Sequence, residues 1–247
     1  MLRWRLPGLT DRPAPIAELF DFAPAPARLS DRLAGLEAAY HFRAENLAPE
    51  LETVREALGV LDLVETALAA ARIELPDPLD ALDVGARNWF YVRALDALLR
   101  FYGGSERNVE LTGLEVDPFV VYRDGHSRFD WAQLYAASLP QARYLARDFF
   151  SHAGVHDLVL ILFPFLNRAE HLDMGLPLSL YRPRDLLAHA LAAVRPGGTL
   201  VVTCFDYERA ALEAIWRALQ CEPVIAMPHI PVFVPAQADH FVTVLRR

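Results

Sequence analysis

The sequence predicts an α/β fold: a doubly wound, mostly parallel seven-stranded sheet whose last strand runs antiparallel, with a helical appendage ahead of it. Three observations predict it. From residue 79 onward, short apolar runs alternate with stretches of helical periodicity, the pattern of βα units joined by right-handed crossovers. HDLVLILF, beginning at His156, is apolar almost without interruption, as a strand covered on both faces must be. The last two apolar runs, CEPVIAM and HFVTVLRR, are joined by PHIPVFVPAQAD, too short for a crossover helix, so they pair antiparallel.

Taken in order, residues 1–27 are Pro-rich (PAPI, APAPAR) and read as an extended arm with little structure of its own. Helical periodicity follows Ser30, a suitable N-cap, with Leu33, Leu36, Tyr40 and Leu47 on one stripe. A second helix has Pro49 in its first turn, Glu50 and Glu52 at its positive end, and apolar residues at Leu51, Val54, Leu58, Leu61, Val64 and Leu68; PDP at 76–78 stops it. Residues 28–75 thus form a helical cap, either a lid or a packing element, and residues 76–247 the sheet domain.

Within that domain LDALDVG is the first strand. FYVRALDALLRFYGG is a helix ended by Gly103-Gly104, and VELTGLE is the second strand. A loop and a helix around WAQLYAAS lead to ARYLA, the third. HDLVLILF is the fourth. PRDLLAHALAAVRPGG is a helix with Pro183 in its first turn and a proline-glycine stop, TLVVTCF the fifth strand, and YERAALEAIWRALQ a last helix before the closing pair.

Composition narrows the function. The 53% hydrophobic and 23% charged residues mark a globular protein. A net charge of −8 gives no long-range pull toward nucleic acid or anionic lipid. Every basic residue is arginine, which excludes Schiff-base chemistry on a lysine. Cys204 and Cys221 are too few for a disulfide scaffold or a cysteine-rich zinc site, and the histidines lack ligand spacing, so no metal is expected. The N-terminus has no apolar core of a secretory signal, and the longest apolar run, LVLILFPFL, is too short to span a membrane; a reducing cytoplasm is the expected setting.

Four stretches in order, LDVGARNW, LTGLEVDP, ARYLARDFF with HDLVLILF, and VRPGGTLVVT, together with the closing antiparallel strand, resemble the class I S-adenosylmethionine-dependent methyltransferases over residues 79–247. The resemblance implies S-adenosylmethionine as cofactor. Asp83-Val84-Gly85 matches the start of that family's glycine loop, where Gly85 lets the backbone reverse beside a ligand. Arg87 and Trp89 stand where the later glycines would be. Those glycines let a pyrophosphate approach, so their loss counts against a dinucleotide more than against S-adenosylmethionine. Arg87 is either a fork-shaped donor to the methionine carboxylate or, with Trp89, a filler of the pocket.

The resemblance further implies Glu115, with Asp117 as competitor, as the acceptor of the ribose hydroxyls. It implies Asp148 as acceptor for the adenine amino group, and Phe149 as its apolar wall. Phe163-Pro164-Phe165-Leu166-Asn167 faces the methyl acceptor, with Phe163 able to stabilise a sulfonium by cation–π attraction. This stretch is not the Asn/Asp-Pro-Pro-aromatic motif of enzymes that methylate DNA bases. HLDMGLPLSLY reads as a substrate loop, which makes His171, Asp173 and Tyr181 the catalytic candidates, with His152 and His156 nearby. The implied partner is a small molecule or a protein side chain. A non-catalytic module that keeps the sheet but not turnover is the alternative, and the oligomeric state is left open.

Overall fold

The structure, a computed structural model, describes residues 8–173, 175, 177–235 and 238–247. The first seven residues of the expected arm, Met174 and Leu176 of the expected substrate loop, and Ala236 and Gln237 of the expected closing loop lie outside the described residues.

Seven strands, β1 (Leu79–Val84), β2 (Val109–Glu115), β3 (Ala142–Ala146), β4 (His156–Leu162), β5 (Val194–Phe205), β6 (Ile225–His229) and β7 (His240–Arg246), form one sheet in the order β3-β2-β1-β4-β5-β7-β6. The first five are parallel. β7 enters antiparallel between β5 and β6, as the short connection required. Alternate residues of the central strands feed two apolar layers. Ala81, Leu111 and Leu160 face a layer shared with α1 (Pro26–Tyr40), α2 (Leu51–Ala70), α3 (Val92–Phe101) and α4 (Arg128–Ala136). Leu82, Val159 and Val202 face a layer shared with α6 (Pro183–Ala192) and α7 (Arg209–Ala218). The remaining helix, α5 (Arg168–Asp173), follows β4.

Several element ends differ from the sequence reading. α1 starts at Pro26, not after Ser30, because proline's fixed φ seeds the first turn; the Ser30 hydroxyl donates back to the Pro26 carbonyl at 3.1 Å. The segment ahead of it is not a bare arm. It contains a 3-10 turn at Ile16–Glu18 and buries Ala14, Leu19 and Phe20. Pro49 precedes α2 rather than opening it. PDP does not stop that helix either. α2 ends at Ala70, where Arg72 turns left-handed (φ +48°) and the Ile73 N–H reaches the Leu68 carbonyl at 2.9 Å. Pro196-Gly197-Gly198 lies inside β5, across a register shift against β4, so α6 stops at Ala192 without it. Leu33, Leu36 and Tyr40 are buried along α1, as their spacing predicts.

The N-terminal helices and the sheet share one hydrophobic core. Leu61, fully buried in α2, is a direct probe of that sharing. Leu61→Ala should lower the stability of the whole chain by about 2–5 kcal/mol, read as a single urea transition common to far-UV dichroism and tryptophan fluorescence. Two separated transitions would show that the helices melt by themselves.

Candidate functional site

β1 ends at Val84 and the chain reverses at Gly85, whose φ of +78° costs a glycine little. Two residues later, and two later again, the same left-handed geometry recurs without glycine: Arg87 and Trp89 both sit at φ +53°. Each non-glycine residue there costs about 1–2 kcal/mol. The loop therefore turns left-handed at three alternate positions with a glycine at only the first, and other interactions must hold it.

Those interactions are visible. The N–H groups of Gly85 and Ala86 both donate to the Leu114 carbonyl, at 2.9 and 3.0 Å, and Trp89 N–H donates to the Ala86 carbonyl at 2.8 Å. Arg87 N–H donates to Glu115 Oε2 at 2.8 Å, while the Tyr144 hydroxyl donates to the Arg87 carbonyl. The deepest anchor is Asp83. Its Oδ2 receives the Trp89 indole N–H at 2.9 Å and the Tyr91 hydroxyl at 2.7 Å, all three groups being buried. Its Oδ1 is buried without a hydrogen-bond partner among the described residues. Burial drives this carboxyl up to about 7, the two donors pulling against that rise and the nearby charge of Glu115 adding to it.

The two bulky residues go separate ways. The Trp89 indole lies in the core against β2, so close to Gly113 that a Cβ there would fall 2.7 Å from Cε2, and its ring is tilted against Tyr144 at 5.9 Å. The Arg87 side chain is exposed. Their separation turns the two sequence readings of this pair into one arrangement: the indole is internal and the guanidinium is external.

Glu115, at the end of β2, is buried; Oε2 serves Arg87, Oε1 accepts Asp117 N–H at 2.9 Å, and Arg128 Nη1 stands 3.8 Å from Oε1. Two N–H groups use part of a carboxylate's acceptor capacity of about four lone-pair directions. Asp117 is half-buried beside it, and Val116 between them is 53% exposed. The next strand end is tied on by Arg147 N–H, which donates to the Glu115 carbonyl at 2.9 Å. There Asp148 is exposed and caps a 3-10 turn by accepting Phe150 N–H at 3.0 Å, and Phe149 is buried. Phe163, just past β4, is left-handed (φ +57°), with its N–H on the Thr203 carbonyl and hydroxyl, both at 3.1 Å, and its ring against Phe205 and His240. Sheet order thus aligns Gly85, Glu115, Asp148 and Phe163 along one carboxyl edge.

The three candidates beyond β4 are placed on α5 and the turn after it, where a loop was expected. His171 is buried, with Nε2 donating to the Pro177 carbonyl at 2.9 Å, which leaves Nδ1 as its acceptor nitrogen. Tyr181 meets the His171 ring edge-on at 5.4 Å and donates to the Leu166 carbonyl at 2.7 Å. Burial raises the Tyr181 phenol, with Arg168 opposing. Asp173 is exposed at the end of α5. Among the described residues, no hydrogen bond joins these three to the 83–89 loop.

Sequence reasoning missed Tyr91, Gly113, Tyr144 and Glu208. A glycine inside an apolar strand does signal close approach of something bulky, and at Gly113 that is the indole. Glu208, buried after β5, accepts Leu166 N–H at 3.0 Å and pins the turn after β4; burial pushes its carboxyl up. Among the described residues, no group of three or more His, Cys, Asp or Glu side chains is placed to hold a metal, and no helix is long and apolar enough to cross a membrane.

No protein-family model and no curated protein matches the sequence. Solved structures do. A candidate class I S-adenosylmethionine-dependent methyltransferase from Listeria monocytogenes matches with a TM-score of 0.55 and 15% identity, over 93% of this chain and 70% of its own. TrmN from Thermus thermophilus matches with a TM-score of 0.54 and 19% identity over 80% of this chain; the match spans 53% of TrmN. The fold is that of the class I S-adenosylmethionine-dependent methyltransferases. In this methyltransferase fold, the carboxyl edge of the parallel strands is where a ligand crevice forms, and it is the edge that carries Gly85, Glu115 and Asp148.

The Asp83 anchor has a pH signature. A carboxyl raised from its ordinary value to about 7 adds stability that is complete below the ordinary value and lost as pH rises through about 7. Asp83→Asn cannot ionise. Its stability deficit against the wild type should therefore shrink or reverse as pH is raised from about 4 to about 7, measured by urea denaturation at several pH values. A deficit independent of pH would place the titration elsewhere.

Proposed function

We propose that the chain is an S-adenosylmethionine-dependent methyltransferase acting on a small molecule or a protein side chain. The observation that carries this reading is the course of the 85–89 loop. It keeps left-handed turns at three alternate positions while Trp89 is drawn into the core, so the indole does not plug the crevice at the strand ends. The matched solved structures support the same reading through their fold.

In this reading the exposed Arg87 guanidinium pairs with the methionine carboxylate, a role its fork geometry suits. Glu115 uses its remaining lone pairs on the ribose hydroxyls. Asp148 accepts from the adenine amino group, Phe149 walls the ring, and Gly85 gives the backbone clearance. Bound S-adenosylmethionine would supply a methyl group on a positively charged sulfur. Phe163 would offer an aromatic face to such a charge. The protein's own tasks are alignment, water exclusion and proton removal from the acceptor. His171 would take that proton at Nδ1, with Asp173 the exposed alternative and Tyr181 holding the His171 ring. The net charge of −8 disfavours a nucleic-acid acceptor.

A second reading has its own observation. Glu115 already accepts two backbone N–H groups, one of them from the loop it would share with the cofactor. In a non-catalytic binding module Glu115 would be a loop anchor and nothing more.

Isothermal calorimetry of the full chain with S-adenosylmethionine, S-adenosylhomocysteine and NAD separates the two. The methyltransferase reading expects micromolar binding of one or both sulfur compounds, and Glu115→Ala weakening it at least about tenfold. Silence toward both compounds rejects this reading in favour of the module, and NAD binding alone rejects both.

A further inference from the structure

The connection from β3 to β4 passes through Phe149, His152 and His156, and His189 of α6 lies against it. His152 Nε2 and His156 Nε2 are 2.8 Å apart, and His156 Nδ1 is 2.7 Å from Asp80 Oδ1 at the start of β1. Arg195 of β5 donates to Asp80 Oδ2 and to Asp157 Oδ2, both at 2.9 Å, and Asp157 accepts Asp80 N–H at 3.0 Å. An ionised carboxylate only accepts. His156 therefore carries its proton on Nδ1 and leaves Nε2 bare, so His152 donates from Nε2 and its own Nδ1 is bare. That Nδ1 is buried and has no partner among the described residues. One proton fits between the two rings; a second, taken by His152 at Nδ1, leaves a buried cation whose new N–H meets no acceptor among the described residues.

The pair reaches the proposed cofactor edge through aromatic contacts. His152 stacks on Phe149 with centroids 6.4 Å apart, and its carbonyl lies 3.1 Å from His189 Nε2. The His189 ring meets Phe149 edge-on at 4.6 Å, so Phe149 is gripped between two imidazoles. Gly154 makes the closure sterically feasible: a Cβ there would lie 2.6 Å from His152 Nε2 and 3.0 Å from His156 Nε2.

We infer that His152, His156 and Asp80 form a proton-operated clasp that positions Phe149 and Asp148, closed while one proton is shared and released when acid adds a second. The link to the adenine end rests on the cofactor reading above. The charged and titratable groups facing His152 are His156, Arg147, His189 and Asp80, and Arg195 and Asp157 stand behind Asp80. Burial, then His156, Arg147 and His189, hold the His152 proton affinity below the ordinary histidine value, with Asp80 opposing. The clasp accordingly opens on the acid side of that value. His152, His156 and Asp80 are positioning residues; none touches the proposed substrate.

The test is amide hydrogen exchange across residues 147–156, corrected for the intrinsic effect of pH, alongside calorimetry with S-adenosylhomocysteine, at about pH 7.5 and about pH 5. The wild type should exchange slowly at the higher pH and at least about tenfold faster at the lower, with affinity falling in parallel. Gly154→Ala should behave at the higher pH as the wild type does in acid. His152→Phe keeps a ring on Phe149 but carries no proton, and should lose the pH response of this segment. Exchange unchanged by acid in the wild type, or an equal acid response in His152→Phe, overturns the clasp. Exchange that opens with acid while affinity stays constant overturns its link to the adenine end. Acid opening in a chain that binds S-adenosylhomocysteine at neither pH upholds the clasp and rejects the cofactor reading instead.

Discussion

A buried carboxyl group fixes the loop on which the site depends. Asp83 lies at the end of β1 with no access to water, and a group so placed must find donors. Trp89 and Tyr91 supply them from six and eight residues further on, and in doing so bend the intervening chain back over the strand ends. Magnitudes show why the bend holds. Two left-handed non-glycine residues cost about 2–4 kcal/mol together, whereas each hydrogen bond contributes about 0.5–1.5 kcal/mol and burying a large apolar side chain about 1.5–3 kcal/mol. Two such bonds, with the indole packed on Gly113, outweigh the strain. An aromatic pin does here what backbone freedom does in a glycine loop.

Around that pin the sheet does the positioning. The order β3-β2-β1-β4 brings four strand ends into a row, so residues far apart in sequence share one edge without any long loop between them. Helices on one layer press Trp89 into place from behind, while those on the other leave the histidines of the β3–β4 connection against α6. The left-handed Phe163, like Arg87 and Trp89, stands just past a strand end. Among the described residues the other left-handed non-glycine residues, His41, Arg72 and Gln220, follow helix ends, where such a turn is ordinary.

The sheet was legible because its determinants are local. Apolar runs, alternating with amphipathic stretches, fix each strand, and a connection too short for a helix fixes the antiparallel pair. That Gly85, Glu115 and Asp148 stand at or just past strand ends was legible from the same pattern. The partners of Asp83 were not, because nothing in the sequence says that an indole and a phenol will turn inward onto the same oxygen, or that Tyr144 will reach the Arg87 carbonyl from another strand. Helix ends were misjudged for a related reason. Pro49, PDP and the glycine pair in β5 look like punctuation, yet tertiary packing decided where α2 and α6 stop. The expected loop at 171–181 holds a short helix because Asn167 caps its start, its side chain accepting Glu170 N–H at 2.9 Å.

Asp62 of α2 bonds His229 of β6 across 167 residues, and the same helix covers β7. During synthesis on the ribosome, α2 emerges long before either strand exists. Its apolar face has α3 for partial cover at first, and waits for the final strands to complete it. The nascent chain therefore carries a sticky surface through much of translation, and its demand on holding chaperones should be set by the tempo of elongation beyond residue 205.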